Sequence, residues 1–308
     1  MDAEKENILT EAKPRPQSAT SSIMRTVISL ALFIAVDYLI FKSWSAVFLL
    51  VTVIFLHECG HFIAMKIFGY KGINMTFVPF MGAYVSGEAT HFSKSKKIIM
   101  LLAGPVPGII IGMLLFFIYQ HNLNEYYYLA ALAFLLLNVF NLLPVSPLDG
   151  GQVIETLFFS GNEIIQIGFL YFSLIVILGL LYAYQYWLLI IIGWFIYMRI
   201  RSLHLTYRVR RELDKKNISY HLSYDDLANE HYAQIRDVLV TFSKTLGRRF
   251  IPGEFSYREG ELVNYVEKIL APAYHYNLSR AEKIIFSLVY LLAFLLPLIQ
   301  WGYLKDWY

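Results

Sequence analysis

Charge and cysteine are what this chain has least of. Asp, Glu, Lys and Arg make up only 16% of its 308 residues, against about 25% in an ordinary soluble domain. A soluble fold of this length needs polar side chains to clothe its surface, and they are in short supply. The apolar share is 57%, which points to the bilayer as solvent. With a formal net charge of only +3, the chain lacks the concentrated Lys/Arg that nucleic-acid binding rests on, so no nucleic-acid partner is expected. Cys59 is the single cysteine, which excludes an intramolecular disulfide framework and a cluster of thiolate metal ligands. No repeat, heptad run or low-complexity tract stands out.

Apolar runs of about 17 to 25 residues can cross roughly 30 Å of hydrocarbon. Candidates lie at 26–41, 46–67, 98–119, 126–143, 164–182, 186–200 and 283–302. They predict an all-α polytopic membrane protein of about seven transmembrane helices. The fifth and sixth runs are separated only by residues 182–187, which read either as a tight interfacial hairpin or as part of one long helix. Charge decides between them. With seven spans and the N-terminus inside, 24 of the 26 Lys and Arg fall on the cytoplasmic side, leaving Lys42 and Lys305 outside, as the positive-inside rule favours. Fusing the two runs would move the basic stretch 199–216 outside, so a hairpin is expected.

The chain then divides into a disordered cytoplasmic tail (1–25), a membrane domain (26–200), a cytoplasmic helical domain (201–282) and a C-terminal transmembrane helix (283–308). The tail is polar and carries Pro and Ser. No small-x-small site follows the first apolar run, so a cleavable signal peptide is not expected. Within 201–282, helical stretches are expected around 224–246 and 260–271. The basic run 199–216 reads as a juxtamembrane anchor to anionic lipid. The protein is expected in the cell membrane, with its N-terminus and the 201–282 domain in the cytoplasm and its C-terminus outside.

The second run places His57, Glu58 and His61 in the middle of an apolar helix, as His-Glu-x-x-His. On a helix, residues i and i+4 project from one face, so the two imidazoles can share one Zn²⁺ while Glu58 takes a proton from an attacking water. Buried polar residues tying helices together are the plainer reading, but ionisable groups deep in a span are costly and mark functional cavities. His57 lies about 15 Å of helix from the cytoplasmic end of its span. A catalytic zinc takes three protein ligands and keeps one open position. Asp149 lies where Pro144, Pro147, Gly150 and Gly151 break the chain after the fourth run, and broken backbone near membrane depth survives only where protein or a watery cavity satisfies it. Asp149 reads equally as a third ligand or as a helix cap. Residues 70–90 alternate in part and read as a β-hairpin or membrane-dipping loop bending at Gly82, or else as a plain linker. Asp37, near the outer end of the first span, reads as an interfacial or helix-contact residue. The remaining histidines, His91, His121, His204, His221, His231 and His275, lack paired metal spacing.

HECGH in an early span followed by Asn141-x-x-Pro144-x-x-x-Leu148-Asp149-Gly150 resembles the site-2 protease family of intramembrane zinc metalloproteases. The resemblance covers about residues 46–155, the family's three-helix catalytic core. It implies one Zn²⁺ per chain, held by His57, His61 and Asp149, with Glu58 as general base and Asn141 holding the substrate or the developing oxyanion. It implies a substrate-binding hairpin at Gly82, and Gly104 resembles the family's small-residue helix contact. The implied partners are the lipid bilayer and a transmembrane protein or membrane-bound peptide substrate, cleaved within or next to its membrane segment. The CAAX-processing proteases also carry HExxH in a span but take a third ligand from a Glu-x-x-x-His/Asp element, which this sequence lacks after Glu58. A non-proteolytic zinc protein, whether a transporter or an inactive chaperone-like homologue, is the alternative, and neither has need of Glu58 between the ligands.

Overall fold

A computed structural model describes residues 19–305, apart from 80–81, 89–92, 186, 223, 225, 257 and 272–277. The expected tail up to residue 18, the tip of the 70–90 hairpin, His91 and His275 lie outside the described residues. Helix α1 (Ala19–Phe41) starts ahead of residue 25. It pairs with α2 (Trp44–Ile67) through a tight turn at Lys42 and Ser43, and the Ser43 hydroxyl accepts from the Ala46 N–H at the start of α2. Tyr38 stacks on Trp44 at 4.2 Å across that turn.

The expected hairpin is present as β1 (Lys71–Val78) and β2 (Gly82–Glu88), antiparallel with Met75 opposite Val85 and Phe77 opposite Ala83. Gly82 opens β2 with φ +93°, a left-handed backbone that suits glycine at the bend. The outer edge of β1 is taken by α1: the Thr26 hydroxyl donates to Met75 O at 2.6 Å, and the Phe77 N–H donates to the Ser29 hydroxyl at 3.1 Å. The other side of the hairpin, β2, faces α2.

The expected third span is kinked. It runs as α3 (Lys94–Ala103) and α4 (Pro105–Asn122), which meet at Gly104, because Pro105 has no N–H to continue the ladder. Next come α5 (Glu125–Asn141) and, after the Pro144/Pro147 segment, the short α6 (Asp149–Ile154) with a π-helical turn at Glu155–Phe159. Helices α7 (Glu163–Tyr184) and α8 (Leu188–Lys215) are separate, as the hairpin expectation requires. Among the described residues, six helices are long and apolar enough to cross a membrane, and a seventh span is not shown. The expected fourth span is α5, whose 17 residues rise only about 25 Å. Large apolar side chains face outward on these helices, among them Phe48, Ile67, Ile110 and Ile175. Such a belt on several long helices makes this a multi-pass membrane protein.

Helix α8 does not stop at the expected end of the sixth span. Its last turns carry Val209 and Leu213 into the core of the polar region, where they pack with α9 (Asn229–Phe242) and α10 (Gly260–Ile269). The polar region is held by a buried cation. Arg236 donates to Glu259 at 2.8 Å and to the carbonyls of Ile251 and Glu254. Burial and the Glu259 carboxylate push the Tyr232 hydroxyl above its ordinary pKa. The chain closes with α11 (Arg280–Lys305), whose Tyr290 hydroxyl donates to Leu142 O at 2.7 Å.

The basic run is not wholly a lipid anchor. Arg199 turns inward to the Glu155 carboxylate at 2.7 and 2.8 Å and to the Ser146 hydroxyl at 2.7 Å. Arg210 likewise pairs with Glu163.

Candidate metal centre

Helix α2 carries the motif because its sequence is apolar on nearly every side, leaving His57, Glu58 and His61 as its buried ionisable groups. Its neighbours come close where glycine allows. A Cβ on Gly60 would stand 1.9 Å from Ala103 O, and one on Gly104 would stand 2.3 Å from His61 Nε2. The α3/α4 kink therefore lies directly against the motif, consistent with the role implied for Gly104.

Asp149 comes from a distant part of the chain. The segment after α5 is fixed by the Tyr290 bond to Leu142 and by the Ser146 N–H donating to Ser173 Oγ at 3.1 Å. Gly150 and Gly151 then let α6 pack on that segment's own backbone, since a Cβ on either would fall 2.0 to 2.3 Å from it. As the first residue of α6, Asp149 lies 3.2 Å by its Oδ2 from His57 Nε2 and 3.3 Å from His61 Nε2. The two Nε2 atoms are 3.1 Å apart.

The outer nitrogens of the two rings decide what this triangle can hold. His57 Nδ1 faces Asn138 Oδ1 at 2.8 Å, and the Asn138 amide is oriented by its Nδ2 donating to Phe134 O at 2.7 Å. His61 Nδ1 faces Met100 O at 2.8 Å. Both partners are acceptors, so each Nδ1 carries the hydrogen and each neutral ring turns a lone pair on Nε2 inward. Two lone pairs and a carboxylate oxygen thus converge with no hydrogen between them, and a cation satisfies all three. Donors held tetrahedrally about 2.0–2.1 Å from zinc stand about 3.3–3.4 Å apart, close to the spacing here. Among the described residues this is the one cluster of at least three His, Cys, Asp or Glu able to hold a metal.

Glu58 is buried beside the triangle, and its carboxylate accepts from the Val85 N–H of β2. A cavity of about 780 Å³ opens on the site, lined by His57, Glu58, His61 and Asp149 and also by Asn141 and Gly82. The Asn141 amide donates back to Leu137 O at 3.2 Å within its own helix. His57, His61 and Asp149 are thus brought together, with Glu58 adjacent, while Asn141 and Gly82 stand on the cavity wall. Sequence reasoning missed Asn138, which is wholly buried. Its signal was a second amide three residues before Asn141 in an apolar run.

The resemblance read from the two motifs is borne out by comparison with known proteins. Residues 45–123 match the sequence model of peptidase family M50. A zinc metalloprotease of Methanocaldococcus jannaschii is 32% identical over 120 residues, covering 37% of this chain and 34% of that protein. The chain thus matches about a third of that relative's length. The family implies zinc, and the donor set fits it.

Proposed function

With the likeness to peptidase family M50 as premise, we propose that this protein is an intramembrane zinc metalloprotease of the site-2 type, hydrolysing peptide bonds within or next to transmembrane segments of its substrates. The observation that carries the reading is the triangle of His57, His61 and Asp149 at 3.1 to 3.3 Å with Glu58 beside it, sunk among apolar helices. His57, His61 and Asp149 hold the metal. Zinc, when bound, supplies Lewis acidity that makes water nucleophilic near neutral pH and polarises a carbonyl.

Glu58 takes the proton as water attacks and returns it to the leaving amine. Its hydrogen bond from Val85 aims the carboxylate toward the hairpin side of the cavity. Asn138 and Met100 keep both imidazoles in the tautomer that ligates. Asn141 lies on the wall as a donor for the substrate carbonyl or developing oxyanion.

A transmembrane substrate must be locally extended before its carbonyl can be reached, and β2, which lines the cavity through Gly82, Ala83, Tyr84 and Val85, suits an extended segment added as a further strand. The closure of the β1 edge by Thr26 and Ser29 favours that side. The bend at Gly82 keeps the edge within the cavity wall. The orientation that agrees with the Lys/Arg distribution puts the N-terminus and the 201–282 domain in the cytoplasm and the C-terminus outside.

The test is purified protein in proteoliposomes with a membrane-spanning reporter. Glu58→Gln is expected to abolish cleavage while retaining zinc and the wild-type elution profile. Full activity in that variant would sink the mechanism.

A further inference from the structure

Asp37 stands apart from the machinery just described. It lies in the apolar helix α1, is 4% exposed, and its Oδ2 has no hydrogen-bond partner among the described residues. It also lines the same cavity as Glu58 and the metal triangle. An unpaired carboxylate oxygen buried among apolar side chains is costly to maintain. Phe33, Ile40, Leu50, Leu189 and Ile192 line that cavity with it, so Asp37 is a polar residue in an otherwise apolar stretch of the wall. We infer that Asp37 is a specificity-determining residue that accepts a hydrogen bond from a donor side chain of the substrate, an amide or ammonium group, held in the otherwise apolar part of the cavity.

The helical hairpin sets how far from the scissile bond that donor lies. Helices α1 and α2 run antiparallel about the turn at Lys42 and Ser43, and Phe33 packs with Ile54 in one cluster. Asp37, one turn from Phe33 toward that end, is therefore level with Leu50, one turn from Ile54 in the same direction. Glu58 is two turns of α2 further in, about 12 Å at 1.5 Å per residue. An extended strand rises about 3.3 Å per residue, so Asp37 meets a side chain about three or four residues from the scissile bond. An interfacial or plain helix-contact residue, the reading from sequence, would instead face headgroups or a partner on a neighbouring helix.

This inference rests on the protease reading, and one experiment separates their failures. A transmembrane reporter whose cleavage site has been mapped by mass spectrometry is made with Leu, Asn or Lys at the third and fourth positions on each side of the cut. Initial rates are measured in proteoliposomes with zinc. The wild type is expected to cleave the Asn and Lys forms at one of these positions at least about tenfold faster than the Leu form, since a site built around a buried polar group rejects a partner that leaves it unpaired. Asp37→Leu should bring that ratio to within about twofold while still cleaving the Leu form. Asp37→Asn, which keeps an acceptor without the charge, should retain the preference for Asn and lose that for Lys. Both rates in each ratio come from one preparation, so partial misfolding cancels. No preference in the wild type, or an unchanged ratio in Asp37→Leu, overturns the inference and leaves the protease intact. Equal cleavage by Glu58→Gln, or none by the wild type, removes the protease reading and this inference with it.

Discussion

Gly104→Ala adds one methyl group at the kink between α3 and α4, and its effect is readable as a distance. The new carbon would stand 2.3 Å from His61 Nε2 and 2.5 Å from His61 Cε1, where non-bonded heavy atoms settle at about 3.5 Å. Either the ring or α4 must retreat by about 1 Å. The ring is held on one side by Met100 O at 2.8 Å and on the other by its 3.1 Å spacing from His57, and metal–ligand distances tolerate only about 0.2 Å. If α4 retreats instead, Gly108 withdraws from the Asn138 amide against which it packs, and the group that orients His57 loosens. Both routes spoil the triangle. Zinc affinity, measured by competition with a chelator on purified protein, is expected to fall about 10- to 100-fold, as when a ligand's supporting partner is lost. The crowding itself costs about 1–3 kcal/mol of stability. Gly168→Ala on α7 is the control, because nothing lies within 4 Å of its added carbon. It should leave zinc binding unchanged and stabilise the helix by up to about 1 kcal/mol. Wild-type zinc affinity in Gly104→Ala would refute the close contact and the account built on it.

Three further outcomes follow from bonds already described. Asn138→Leu removes the acceptor on His57 Nδ1, so chelator competition should again show about 10- to 100-fold weaker zinc binding with the protein still folded. Arg199→Met leaves Glu155 without its bidentate partner and should cost about 1–3 kcal/mol, most of it recovered by adding Glu155→Gln, as a double-mutant cycle in thermal unfolding would reveal. Arg236→Met strands the buried Glu259 carboxylate; a loss of about 3–5 kcal/mol is expected, seen as faster limited proteolysis between α9 and α10 with the membrane helices intact.

The motif residues were legible because their chemistry is written in spacing. His57 and His61 share a helix face whatever surrounds them, and the proline and glycine pattern around Asp149 marks a break in any fold. The β-hairpin was legible from alternation ending at Gly82. Residues whose meaning depends on a crossing angle were not. Asn138 and Asn141 look alike in the sequence, and only the approach of α2 to α5 selects Asn138 to meet His57. Asp37 sits near a helix end, which suggests an interface, yet it is buried and lines the cavity. Arg199 and Arg210 look like members of a lipid-facing basic run because their partners, Glu155 and Glu163, lie far back in the chain. The fourth expected span ends two residues early for a similar reason. The residues after α5 are apolar enough to continue a helix, but Pro144 and the packing around Asp149 end it at Asn141.

Helix α8 belongs to two cores at once. Ile196 and Ile200 pack against the segment that leads to Asp149, and Val209 and Leu213 pack in the polar region. Because the helix is unbroken between them, the two cores share a rotational phase. One residue inserted between Arg201 and Arg208 would turn the polar region by about 100° relative to Arg199, whereas seven would come back to within about 20° of the original phase while lengthening the rod by about 10 Å. Torque applied to the polar region is therefore delivered along a stiff shaft to the guanidinium that grips Ser146 and Glu155, on either side of Asp149.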